Sequence, residues 1–173
     1  MGLGTDIRFK GFAMSLAGRQ VAVDEKAPDF QGLVGLVKVS LADTPAIPRL
    51  FASVPSLDTP VCRRQTKAIN QEIIALGGKV ACYTFSLDMP FAQQRFCEAE
   101  QVTNVVCVSD AYNRSFGANY GALLVGLPIP VLTRALFVLD AEGTLHHVDY
   151  VNEVNEEPDY HQAISVLRGL LGS

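Results

Sequence analysis

The stretch IPRLFASVPSLDTPVCRRQTKAINQEIIALGGKVACYTFSL, Ile47 to Leu87, decides the fold. Ile47 to Val54 is an apolar, strand-like run that stops at Pro55. Thr59 to Leu76 then reads as a helix. Ile69, Ile73 and Leu76 fall at i, i+4 and i+7, so they share one face. Gly77-Gly78 ends it, as glycine does at helix C-termini. Lys79 to Leu87 is a second strand. Strand, helix and strand in this order predict an α/β unit.

The flanking sequence extends the alternation. Leu33 to Leu41 is strand-like, Phe91 to Glu100 a short helix and Asn104 to Ser109 a strand. Ser115 to Leu124 reads as helical, although Gly117 and Gly121 weaken it. Arg134 to Leu139 and Thr144 to Val151 are strands joined by the turn Ala141-Glu142-Gly143. Pro158 to Leu171 is the closing helix, with proline in its first turn. Upstream, Ile7 to Leu16 and Arg19 to Val23 predict a short hairpin around Ala17-Gly18. The expected architecture is a mixed, partly parallel central sheet with helices on both faces and an N-terminal β-hairpin.

A chain of 173 residues suits one domain spanning 1–173, with residues 1–6 as a loose extension. With 49% hydrophobic and 18% charged residues it should pack as a globule. A net charge of -4 and no clustered basic run give no reason to expect nucleic-acid binding. The most apolar segment, Gly121 to Leu132, is too short to span a bilayer and is broken by Pro128 and Pro130, so no membrane partner is expected. The start, MGLGTDIRFK, lacks the apolar core of an export signal, which makes a cytoplasmic location the expectation. Of the four cysteines, Cys62, Cys82, Cys97 and Cys107, no two form a C-x-x-C pair. His146, His147 and His161 show no metal-ligand spacing, so no metal is expected.

Attention therefore falls on cysteine reactivity. In Pro55-Ser56-Leu57-Asp58-Thr59-Pro60-Val61-Cys62, Pro60 suits the first helical position, which makes Thr59 the N-cap and puts Cys62 in the first turn. Backbone N–H groups there have no intrahelical partner, and the helix dipole favours an anion. Both favour a nucleophilic thiolate. Arg63 and Arg64 add positive charge nearby. Read from the residues alone, Cys62 is either such a nucleophile or a small core residue beside a helix cap.

P-x-x-x-T-x-x-C, from Pro55 to Cys62, resembles the active-site signature of the peroxiredoxins. The longer run to Lys67 is similar to the thiol peroxidase subfamily, of the atypical two-cysteine type. Matching segments follow in the same order through the chain: Phe9-Lys10-Gly11, Ala27-Pro28-Asp29-Phe30, Asp88 to Cys97, Ser115 to Gly121 and Glu157-Pro158-Asp159-Tyr160. The resemblance implies a thioredoxin-like fold. It implies reduction of hydrogen peroxide and organic hydroperoxides by a peroxidatic Cys62, with Thr59 contacting peroxide and thiolate. Pro55 would shield the pocket and Arg134 would complete the site. Arginine suits that task, since it is always charged and can donate to sulfur and peroxide together.

Cys97 corresponds to the resolving cysteine. The implied cycle passes through a sulfenic acid and an intramolecular Cys62–Cys97 disulfide, with local unwinding to bring the two together. It needs no cofactor, neither metal, haem nor flavin. Thioredoxin is the implied reductant and a homodimer the implied assembly. Cys82 and Cys107, in strand-like runs, read as inert core residues. The segment Gly126-Leu127-Pro128-Ile129-Pro130 departs from the subfamily's pattern, which bears on the pocket wall and substrate preference. Two other functions remain open at this level. One is a cysteine acyl-transfer hydrolase, which would need one of the three histidines as base. The other is a non-enzymatic peroxide sensor using the same disulfide.

Overall fold

The computed structural model describes residues 6–172. The chain begins with strands β1 (Arg8–Phe9), β2 (Phe12–Ala13) and β3 (Ser15–Ala17), followed by β4 (Gln31–Val34) and β5 (Val37–Ser40). Strand β6 (Arg49–Ser53) leads into helix α1 (Pro60–Ala75), then β7 (Ala81–Ser86), α2 (Pro90–Ala99) and β8 (Val106–Ser109). After α3 (Ser115–Asn119) come β9 (Leu123–Val125), β10 (Val131–Leu132), β11 (Ala135–Leu139), β12 (Leu145–Tyr150) and α4 (Tyr160–Leu171).

Seven strands form the central sheet in the order β12-β11-β6-β7-β8-β4-β5. β6, β7 and β8 run parallel, as strand–helix–strand connections require, and the remaining pairs are antiparallel. The mixed sheet predicted from the alternation is present.

Side-chain alternation assigns the two faces. On β6 and β11, Leu50, Ala52, Leu136 and Val138 join a core with Ile69 and Ile73 of α1, Phe96 of α2 and Leu167 of α4. Phe51, Phe137 and Leu139 point the other way, toward Phe30 and Phe116. Phe85 and Phe116 stack there at 3.8 Å between ring centroids. Helices therefore cover both faces, with α1, α2 and α4 on one and α3 on the other. Among the described residues no helix is long and apolar enough to cross a membrane.

Several boundaries differ from the sequence reading. The N-terminal hairpin exists, but it turns at Lys10-Gly11, pairing Arg8 with Ala13. Ser15–Ala17 instead pairs with β9, and Arg19 to Val23 forms no strand. Leu33 to Leu41 is not one strand; the chain turns at Gly35-Leu36 between β4 and β5. The helix expected to reach Leu124 stops at Asn119. Gly121 has φ +59°, and a Cβ on it would lie 2.6 Å from the Arg19 backbone, so the chain leaves the helix to form β9. The expected loose extension falls on residues 1–5 outside the described part; Asp6 is described, and its carboxylate accepts from Arg8.

Candidate active site

The site is built where β6 ends. Val54 is buried and its N–H donates to the Phe85 carbonyl, which fixes the exit from the sheet. Pro55 follows, also buried. The loop to α1 is then held by Asp88, at the end of β7. Its carboxylate accepts from Ser56 Oγ at 2.7 Å, from the Leu57 N–H at 2.9 Å and from Ser86 Oγ at 2.8 Å. Ser86 Oγ in turn accepts from Gln93 Nε2 of α2 at 3.0 Å. Directly and through Ser86, one carboxylate thus ties the loop before Cys62 to β7 and to the helix that carries Cys97.

Thr59 caps α1 as its spacing predicted. Its Oγ1 accepts from the Cys62 N–H at 3.3 Å and donates to the Ser56 carbonyl at 3.0 Å. Cys62 is the third residue of the helix and is wholly buried, with 0% exposure. A hydrogen bond from Arg134 Nη2 reaches its sulfur at 3.2 Å.

Arg134 precedes β11 and is itself only 2% exposed. Its Nε donates to the Val154 carbonyl at 2.9 Å and its Nη1 to Gln65 Oε1 at 2.5 Å. Among the described residues no carboxylate pairs with this guanidinium. A buried cation held by two neutral oxygens and one sulfur is costly unless the sulfur carries the negative charge.

Arg63 and Arg64 play a different part from the one their sequence position suggests. Both are exposed and pair outward, Arg63 with Glu100 at 3.4 Å and Arg64 with Glu157 at 3.8 Å. Lys67 also reaches Glu100, at 3.1 Å. The Arg63 and Lys67 pairs clamp α1 to Glu100, the residue that ends α2.

Cys97 lies in the last turn of α2 and is half-buried. The sulfur against it belongs to Cys107 of β8, 3.2 Å away, rather than to Cys62. The hydrogen bond from Cys107 lowers the Cys97 thiol below its ordinary range, against the effect of burial. The same bond, with burial, pushes the Cys107 thiol up. Cys82 is fully buried on β7, and burial alone pushes its thiol up, which fits an unreactive core residue.

Two contributors carried no role in the sequence reading. Gln65 is buried one helical turn after Cys62 and holds Arg134. Its signal was a polar residue three positions on, hence on the same face. Asp88 was visible only as part of a family segment. Its bonds run to residues 31 and 32 positions upstream, which no local pattern reveals. Among the described residues no histidine hydrogen-bonds to Cys62: His146 pairs with Asp140, His147 sits on β12 and His161 lies on α4 beside the Tyr160 ring. The described residues contain no group of histidine, cysteine and acidic side chains able to hold a metal.

The chain matches the Redoxin family model over residues 22–164. It is 40% identical over 165 residues to the thiol peroxidase of Streptococcus pneumoniae strain R6, covering 95% of this chain and 99% of that one. It is 38% identical over 167 residues to the thiol peroxidase of Bacillus subtilis strain 168, covering 96% and 98%. A crystal structure of a peroxiredoxin-like protein from Aquifex aeolicus superposes with a TM-score of 0.89 at 32% identity, covering 98% of this chain and 99% of that one.

Proposed function

We propose, for a chain that belongs to the redoxin family and within it to the thiol peroxidases, that Cys62 is the peroxidatic thiolate and Cys97 the thiol that resolves it. Thiol-dependent peroxide reduction is the family's reaction; the assignment of its steps to these residues is our reading. The observation that carries it is the buried Arg134 guanidinium, which among the described residues has Cys62 Sγ as its one partner able to become an anion. The dipole of α1, whose first turn carries Cys62, acts on the sulfur in the same direction.

The thiolate attacks the terminal oxygen of a hydroperoxide and the O–O bond breaks. The remaining oxygen leaves as water or alcohol after taking a proton, and Cys62 becomes a sulfenic acid. Arg134 holds sulfur and oxygen together, Thr59 turns its hydroxyl from the Ser56 carbonyl toward the peroxide, and Pro55 keeps water out. Cys97 then condenses with the sulfenic acid, a Cys62–Cys97 disulfide forms and a second water leaves. A dithiol reductant, thioredoxin, restores both thiols by exchange.

Because Cys62 is buried and Cys97 faces Cys107, the disulfide step requires loosening of the α1 and α2 turns that carry them. We further read the chain as one domain working as a homodimer in the cytoplasm. Loss of hydroperoxide with thioredoxin, its reductase and NADPH tests the cycle. Sustained turnover is expected; a single round of oxidation with no turnover would assign the chain to sensing instead.

A further inference from the structure

We propose that Cys97 and Cys107 form a second redox pair, which takes over the oxidising equivalents of the Cys62–Cys97 disulfide by exchange within the chain. The inference rests on the peroxidatic and resolving roles given above. It starts from the sulfur–sulfur contact of 3.2 Å between residues on α2 and β8. A bond between them needs an approach of only about 1.2 Å. Both residues line an open cavity of about 350 Å³, together with Pro90, Gln93, Gln94 and Val105, and of the two sulfurs the half-exposed Cys97 is the one a reductant reaches.

The exchange balances without any further oxidant. Cys107 Sγ attacks Cys97 Sγ, the Cys62–Cys97 bond breaks and a Cys97–Cys107 bond forms. Cys62 leaves with the electron pair as a thiolate, and the Cys107 proton passes to water in the cavity. A better-stabilised thiolate is the better leaving group, and Cys62 leaves toward Arg134 and the α1 N-terminus. The α1 turn refolds as it does so, whereas a Cys62–Cys97 bond holds it open. Cys107 sits in a central strand and waits at its post, while Cys97 sits in a helix end, where turns open at low cost. Among the described residues the sulfur–sulfur hydrogen bond joins Cys97 to Cys107 and leaves Cys82, fully buried on β7, outside the exchange.

The consequence is a freed Cys62 that can meet a second hydroperoxide before any reductant arrives. Reduced, desalted protein titrated with hydrogen peroxide tests this, with non-reducing peptide mapping and trapping of sulfenic acid by a cyclic 1,3-diketone. Wild type is expected to consume about two equivalents per chain, ending with a Cys97–Cys107 link and a trappable Cys62. Cys107→Ala, and the closer-fitting Cys107→Ser with its fold checked by circular dichroism, should stop at about one equivalent with Cys62–Cys97 linked. Wild type that stops there too, with no Cys97–Cys107 peptide, overturns the proposal and leaves the roles of Cys62 and Cys97 standing. A Cys62→Ser chain that makes the Cys97–Cys107 link at the wild-type peroxide dose overturns the transfer and the peroxidatic assignment together.

Discussion

Cys62 and Cys97 sit at opposite ends of helices, and the contrast shows how one chain places two thiols in different environments. Cys62 occupies the first turn of α1, where the dipole favours an anion; Cys97 occupies the last turn of α2, where carbonyls point outward and the dipole opposes one. The first sulfur is fully buried and touches a cation; the second is half-exposed and touches another thiol. Burial plus a fixed charge suits a nucleophile that must be ready before its substrate comes. Exposure plus a neutral hydrogen-bond donor suits a thiol that acts second and must move.

Removing each sulfur should break the comparison most sharply. Cys62→Ser is expected to abolish hydroperoxide consumption in a folded protein. Cys97→Ser should keep the first fast oxidation of Cys62 yet lose sustained turnover with thioredoxin. Stopped-flow oxidation and the coupled assay separate the two. Fast hydroperoxide loss in folded Cys62→Ser would remove the central assignment.

Arg134→Met comes next. It keeps much of the aliphatic stem but removes the charge. Loss of a preorganised donor at a reacting centre typically costs about 10²–10³ in rate, so oxidation of Cys62 should slow by about that factor. The variant also leaves Gln65 Oε1 and the Val154 carbonyl without their donor, costing about 1–3 kcal/mol of stability. Unchanged oxidation beside a lowered melting temperature would make Arg134 purely structural.

Thr59→Val separates capping from chemistry at nearly constant volume. Loss of the cap to the Cys62 N–H should cost about 1 kcal/mol. If the hydroxyl also contacts peroxide, the oxidation rate should fall more than the change in stability accounts for. A variant that is less stable but oxidises at the wild-type rate would confine Thr59 to the cap.

The difference between the two thiols also marks what the sequence could show. The place of Cys62 in the first turn of α1 was legible because it is local: Thr59, Pro60 and Cys62 lie within one turn, and helix-end physics follows from spacing. The sheet was legible because β6 to β8 alternate with long helices in chain order. Short elements were not. The turn at Gly35-Leu36 and the strand at Leu123–Val125 depend on tertiary partners, β8 in one case and β3 in the other. Arg134 became a candidate only through family resemblance, since nothing local tells a buried arginine from a solvated one at a strand end. The Cys97–Cys107 contact was hidden too. It joins a helix to the next strand across the sheet face, and strand periodicity made Cys107 read as ordinary core.

The smallest effect concerns Cys97 itself. In wild type the Cys107 donor lowers the Cys97 thiol, outweighing burial and the nearby Glu98 carboxylate, both of which act upward. Cys107→Ala removes the donor and leaves the two opposing influences. The pH at which Cys97 becomes half-reactive toward iodoacetamide should therefore move upward, and alkylation at a fixed pH below that midpoint should slow. A net hydrogen bond contributes only about 0.5–1.5 kcal/mol, so the slowing should be about two- to tenfold. Cys62 supplies the internal control, because its partner Arg134 is untouched by the substitution. Measuring both cysteines in one labelling time course, by mass spectrometry of their peptides, distinguishes a local effect from a general loosening. A general loosening would expose the buried Cys62 and speed its labelling. A Cys97 midpoint that stays put, or moves down, would mean that the sulfur–sulfur contact does not tune Cys97, and that the helix end and solvent alone set its reactivity.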